Sequence, residues 1–213
     1  VLVAGGEGTR FGGRKQFVNL LGQPSLQHCI TAAKTVTDDV ILVVPKDLAN
    51  EPVAGAQVVA GGATRSASVR AGLAMIAADA EIILIHDAAR PAASAELFAA
   101  VVDAIENGAD AAVPGIALTD TIKVVQDGAK GRVVVSTPDR ATLVAVQTPQ
   151  GFKAPILFAA HASLAEATDD AALVEAMGAT VQVIEGELGN LKITSPADLA
   201  FLEATLNAGA EHS

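Results

Sequence analysis

The chain has 213 residues, 51% of them hydrophobic, enough for one substantial domain with a buried core. Its 14 basic and 24 acidic residues leave a formal charge of -10, and aromatic residues make up only 3%. That balance lacks the basic footprint and stacking residues that nucleic-acid binding needs, and it argues against anionic membrane surfaces as partners.

In chain order, Val1–Ala4 reads as the end of a buried strand that runs into a glycine-rich loop. Gly5, Gly6, Gly8, Gly12 and Gly13 share this loop with Arg10, Arg14 and Lys15. Closely approaching backbone N–H groups and clustered cations are what a phosphate chain requires. Two familiar phosphate motifs fail. Lys15 follows Arg14 and precedes Gln16, so there is no Walker loop. Phe11 stands where a dinucleotide fingerprint needs its third glycine, and the acids Asp38 and Asp39 precede the second strand instead of ending it. A plain solvated loop is the competing reading. Strand patterning from the first residue means a few residues are expected upstream of Val1, and nothing hints at a targeting segment.

Pro24–Thr35 is predicted as a helix with Leu26, Cys29, Ile30 and Ala33 on one face. Cys29, the one cysteine, reads as a packed thiol in a reducing, cytoplasmic setting. Asp39–Pro45 and Gln57–Ala60 are short buried strands, the second ended by Gly61 and Gly62. Thr64–Ala78 is a helix with Arg65 and Arg70 outside; Ser66 and Ser68 either cap it or touch a ligand, with capping favoured for Ser66. Glu81–His86 is a strand stopping at Asp87, Ser94–Asn107 a helix capped by Ser94, and Asp110–Pro114 a strand. This alternation predicts an α/β sandwich with a mostly parallel sheet and ligands outside the carboxyl ends of its strands.

Residues 116–137 break the rhythm. Thr121–Val125 and Arg132–Ser136 read as a hairpin around Asp127-Gly128, with no helix to cover it. Such a hairpin packs on a partner subunit or lies back on its own domain. Then follow the segment Val144–Pro149, helices near Ala154–Ala165 and Asp169–Met177, strands at Thr180–Glu185 and Leu191–Thr194, and a closing helix, Ser195–Ala208, capped by Ser195 with Pro196 at its first position. No repeat, linker or bilayer-spanning run interrupts residues 1–213, so a single domain is expected, with an arm at about 116–140.

Asp87, at a strand end with Arg90 close behind, is either a Mg²⁺ ligand or the cap of the following turn. His86 reads as a packed strand-end residue. His28, His161 and His212 form no zinc pattern with Cys29, and no Gly-x-Ser-x-Gly elbow is present. Lys192 is read on a short strand near the end, where an edge lysine also deters aggregation. Asp169 and Asp170 match a helix N-terminus.

In this order and spacing, AGGEGTRFG…KQF, GGATRSASV, HDAARP, the TDTIK arm, TPDR…QTPQGF, TDDA and NLKITSP resemble the 2-C-methyl-D-erythritol 4-phosphate cytidylyltransferase family over nearly the whole chain. The resemblance implies a Rossmann-like nucleotidyltransferase domain with a projecting β-arm, working as an arm-exchanged homodimer. It implies CMP transfer from CTP to a sugar-alcohol phosphate with release of pyrophosphate. By that resemblance Arg10, Lys15 and Lys192 are catalytic cations and Asp87 the Mg²⁺ ligand. Ala4, Gly5, Gly6, Gly8, Gly62 and Ser68 face the nucleotide. Arg90, Thr121, Arg140, Thr148 and Thr168 face the substrate, Thr121 and Arg140 from the neighbouring subunit. Ala4-Gly5-Gly6 is similar to the related ribitol 5-phosphate enzymes, whereas HDAARP, Lys123 in the arm and Asp139-Arg140 resemble the methylerythritol branch. Ala63 stands where some relatives have an acid near the base. A non-catalytic nucleotide-binding protein of the same fold is the alternative from another class.

Overall fold

The computed structural model describes residues 1–5 and 17–210, with side chains through 207. The first strand, β1 (Leu2–Val3), is followed by the small β2 (Asn19–Leu20) and β3 (Gln23–Pro24), which pair with each other, and by α1 (Ser25–Ala33). Next come β4 (Ile41–Val44), β5 (Gln57–Ala60), α2 (Arg65–Leu73), β6 (Ile82–Asp87), α3 (Ala95–Glu106) and β7 (Ala111–Ala117). The arm is β8 (Val124–Gly128) and β9 (Gly131–Ser136). The chain closes with β10 (Val144–Val146), β11 (Gln150–Lys153), α4 (Ala154–Ala162), α5 (Asp170–Glu175), β12 (Val181–Glu185) and α6 (Pro196–Ala210).

β5, β4, β1 and β6 run parallel in that order. All four residues of β4, Ile-Leu-Val-Val, are buried, as a strand covered on both faces demands. One face is covered by α1 and α3, where Leu26, Cys29, Ile30, Leu97 and Phe98 meet Leu2, Leu42 and Val44. The other is covered by α2, α4 and α5, where Val69, Leu73, Leu157 and Val174 meet Ile83, Ile85 and Phe152. Each such aliphatic or aromatic side chain gains about 1.5–3 kcal/mol on burial, which drives the layering. The result is the expected α/β sandwich.

β11, like the small β2 and β3, is an element that the sequence pattern did not announce. It runs antiparallel between β6 and β7, and β10 continues its direction along β7. Val144 pairs with Ala117, but Gly151 pairs with Ala112, a register offset of about two residues that leaves residues 147–149 bulging from the ladder. β12 pairs parallel with β7 on its other side.

Several boundaries differ from expectation. α2 ends at Leu73, where Met75 and Ile76 bond back to Gly72 and Leu73 in a tightened final turn. β7 extends past Pro114 because β10 and β12 both pair with it there. The hairpin turns one step later, at Ala129–Lys130, and leaves Thr121 outside its strands. Leu191–Thr194 is no strand; Ile193 N–H bonds the Ala89 carbonyl from a loop. At the start of α6 Ser195 stands in the N-cap position, and the Asp198 carboxylate reaches back to accept the N–H groups of Thr194 and Ser195, at 2.7 Å each. Pro196 does occupy the first helical position.

Candidate active site

The parallel strands end level with one another, and that alignment builds the site. Val3 is the register partner of both Val43 and Asp87, so the glycine-rich loop leaves the sheet beside the last residue of β6. On the far side Gly61 N–H bonds Val44 O at 2.7 Å, which brings Gly62 to the same rim. Ser68 ties the two edges together. Its hydroxyl accepts from Gly62 N–H at 3.2 Å and donates to Thr64 O at 2.9 Å, and it would lie 3.3 Å from a Cβ at Gly5. Gly62 itself tolerates no side chain, since a Cβ there would meet Ala67 Cβ at 2.4 Å. Ala4, Gly5, Gly62 and Ser68 are thus brought together as the sequence suggests. Gly6, Gly8, Arg10 and Lys15 lie outside the described residues.

Helix α2 starts at this rim. Its N-cap is Thr64, whose hydroxyl accepts Ala67 N–H at 3.0 Å. The capping role expected for Ser66 therefore fails; buried Ser66 accepts instead from Ala167 N–H at 3.4 Å. Arg65 does not point outside either. Its Nη1 donates to Asp170 Oδ2 at 2.8 Å, while Nη2 and Nε reach Asp87 Oδ1 at 3.3 and 3.4 Å. Arg70 does stay near the surface, paired with exposed Glu166 at 2.9 Å.

Asp87 is the centre of this arrangement. Lys192 Nζ lies 2.5 Å from Oδ2, and Arg65 holds Oδ1. Burial alone would push the carboxyl up; the charges of Lys192 and then Arg65 outweigh it and hold it down at about 2. Asp87 N–H donates to Thr148 Oγ1 at 3.1 Å, and the same hydroxyl bonds His86 Nδ1 at 3.0 Å. Thr148 is buried and braces the strand end from within the bulge after β10. His86 Nε2 meets Arg90 O at 3.1 Å, and burial takes the ring down to about 4, so it is a neutral, packed residue as expected. Cys29 is likewise inert, its thiol pushed up to about 12 by burial.

Lys192 reaches Asp87 because its loop is pinned. Asn190, fully buried, donates to Gln147 Oε1 at 3.3 Å and Thr148 O at 2.9 Å. Gln147 donates to Glu187 O at 2.7 Å, and Arg90 Nη1 to Asn190 O at 2.7 Å. Arg90 therefore anchors this loop. Asp170 opens α5 as an acid of its first turn, as expected, but its pairing with Arg65 and the roles of Gln147 and Asn190 were not read from the sequence; only isolated polar residues near apolar stretches could have signalled them. Asp169 behaves as expected, capping α5 by accepting Ala172 N–H at 3.0 Å.

Thr168 is exposed, and so are Thr121 and Arg140 on the arm. Arg140 donates to Thr119 O; among the described residues no hydrogen bond or ion pair joins Thr121, Arg140 or Thr168 to the Asp87 cluster. Nor do three His, Cys, Asp or Glu side chains gather into a metal site among those residues. No helix there is long and apolar enough to cross a membrane. A cavity of about 620 Å³ opens at the other ends of the strands, beside Val1, Ile41 and Ile82, and is not part of this site.

The sequence model of the 2-C-methyl-D-erythritol 4-phosphate cytidylyltransferase family matches residues 1–208. The enzyme of that name from Nocardia farcinica is 43% identical, over 97% of this chain and 93% of its own. A bifunctional IspD/IspF enzyme of Oleidesulfovibrio alaskensis is 41% identical over 96% of this chain, which spans 57% of that relative's length. The crystal structure of the cytidylyltransferase from Thermus thermophilus superposes with a TM-score of 0.81 at 35% identity, covering 97% of each chain. The chain belongs to the 2-C-methyl-D-erythritol 4-phosphate cytidylyltransferase family.

Proposed function

We propose that the protein transfers CMP from CTP to 2-C-methyl-D-erythritol 4-phosphate, giving 4-diphosphocytidyl-2-C-methyl-D-erythritol and pyrophosphate. The observation that carries this reading is the ionised Asp87 held between Lys192 and Arg65 at the rim where the glycine-rich loop begins. In the reaction an oxygen of the acceptor phosphate bonds to the α-phosphorus of CTP, and the bond from that phosphorus to the β-phosphate bridging oxygen breaks. The attacking phosphate is already ionised near neutral pH, its second pKa being about 6, so no general base is needed. That agrees with a site whose adjoining histidine, His86, is buried and hydrogen-bonded at both nitrogens.

The obstacle is charge: two anions must meet in line. Lys192, with Arg10 and Lys15 of the loop, would neutralise the α-phosphate and the leaving pyrophosphate. Ala4, Gly5, Gly62 and Ser68 would receive the cytidine, and Gly6 and Gly8 would give backbone N–H groups to the phosphates. Asp87 fits a Mg²⁺ site of the sparse kind, one ionised carboxylate completed by substrate phosphates and water. When bound, such a cation would supply further neutralisation of the triphosphate.

On the substrate side we assign Arg90, Thr148 and Thr168, together with Thr121 and Arg140 of a neighbouring subunit's arm. The support for a homodimer is the arm itself: residues 131–136 are all exposed, and among the described residues β8 and β9 pair only with each other. On this reading residues 1–213 form one domain, with the arm as a projection at about 116–140.

The deciding experiment is pyrophosphate release from CTP and Mg²⁺ with each acceptor. Turnover with 2-C-methyl-D-erythritol 4-phosphate is expected. Turnover with ribitol 5-phosphate alone would move the assignment to the related enzyme that Ala4-Gly5-Gly6 resembles, and nucleotide binding without turnover would leave a non-catalytic protein.

A further inference from the structure

Behind Asp87 runs a chain of hydrogen-bonded side chains that nothing in the reaction itself calls for. His161 Nε2 meets Asp170 Oδ1 at 2.9 Å; Asp170 Oδ2 accepts from Arg65 at 2.8 Å; Arg65 continues to Asp87 Oδ1. Asp170 is fully buried, and His161 nearly so. A carboxylate removed from water in this way is tolerated only when paired. Here the pairing comes from the same guanidinium that grips Asp87. Because a carboxylate only accepts, His161 Nε2 carries the shared proton.

We infer that Arg65 is a positioning residue: anchored by the buried Asp170–His161 pair, it holds Asp87 by Oδ1 and so turns Oδ2 outward as the exchangeable oxygen. In this structure Lys192 occupies that oxygen, at 2.5 Å. A divalent cation arriving with the nucleotide would need the same one. Lys192, whose side chain is 43% exposed, is the mobile partner; Arg65, 25% exposed and bonded at both ends, is the fixed one. The planar guanidinium matters here, because one nitrogen of the fork serves Asp170 while Nε and the other nitrogen serve Asp87. A lysine keeps the charge and the aliphatic stem but cannot span both carboxylates.

The inference rests on the proposed nucleotide site, and its test separates the two. CTP affinity is measured by calorimetry with and without Mn²⁺, in the absence of acceptor, for wild type, Arg65→Lys and Asp170→Asn. The readout is the factor by which Mn²⁺ tightens CTP binding. Both variants are expected to shrink that factor roughly tenfold, the usual cost of disturbing a group that orients a metal ligand. A general loss of structure would instead weaken both affinities alike and leave the factor unchanged. An unchanged factor in either variant, or losses that merely follow unfolding at the assay temperature, overturns the inference. Wild-type protein that shows the Mn²⁺ effect but transfers no CMP would strike the proposed reaction and leave this comparison standing.

Discussion

Lys192 and Asp87 form an ion pair with Nζ 2.5 Å from Oδ2, across 105 residues of chain. The contact joins a loop near the carboxyl end to the tip of β6. On the proposed reading the lysine then has two anionic partners, the carboxylate and a triphosphate. Lys192→Ala is expected to lower kcat at least ~10²-fold, the typical loss on removing one preorganised donor. It also removes the largest opposing charge on Asp87, whose carboxyl then rises from about 2. Steady-state turnover of CTP checks the first effect; near-normal kcat would reject Lys192 as a catalytic cation.

The pin beneath that lysine carries its own prediction. Asn190→Ala deletes two buried hydrogen bonds and leaves Thr148 O without this donor. The cost is about 1–3 kcal/mol, which for a domain of this size lowers Tm by roughly 2–12 °C. Because Lys192 is two residues away, kcat falls as well, even at temperatures where the variant is fully folded. A melt matching wild type would mean that the amide is dispensable.

Acid will loosen the fold in two windows. His86 is held neutral by burial, with its ring lowered from 6.5 to about 4. An unfolded chain therefore binds a proton that the native one refuses, so the contribution of His86 is complete above about pH 6.5 and lost as pH falls toward 4. It amounts to about 3 kcal/mol at most. Asp87 is depressed from 3.8 to about 2, so its contribution persists to lower pH and is lost only as pH falls from about 4 toward 2. Thermal melts from pH 7 to 2 on wild type and His86→Gln separate the windows: the variant will lose the upper slope and keep the lower.

The arm, open on both faces, makes a further kind of prediction. Val133, Val134 and Val135 are 46%, 58% and 47% exposed. Three adjacent open valines on a strand invite a partner. If the arm joins two subunits as proposed, Val134→Asp shifts the protein toward monomer in sedimentation while leaving its melting nearly unchanged. In addition, mixing Arg10→Ala with Arg140→Ala protein will restore part of the activity if sites are shared between subunits. No rescue despite proven exchange would count against shared sites.

How much of this was legible beforehand depends on the distance over which each feature is specified. Local patterning sufficed for β4, for β5, whose bounds match the expected Gln57–Ala60, and for α3, where Ser94 accepts Leu97 N–H at 3.0 Å. It also placed Asp87 at a strand end and the uncovered hairpin after β7. It failed where tertiary pairing decides. Gln150–Lys153, QGFK, has no alternation of its own and is a strand because β6 and β7 both offer it edges. Leu191–Thr194 has the composition of a strand but no edge to join. Arg65 looked solvent-facing by helical period, yet two carboxylates, 22 and 105 residues away, draw it inward. Charge pairs of that separation leave no periodic trace.

The reversed strand has a further consequence for how the polypeptide can be divided. β11 fills the gap between β6 and β7, yet it is made after the arm. Cleavage at Ala129–Lys130 would give a leading fragment with that gap open and a trailing fragment whose β11 has neither neighbour. Neither piece completes its own ladder. Produced separately, each will self-associate through bare edges; produced together, they are expected to reassemble, a complementation imposed by strand order alone.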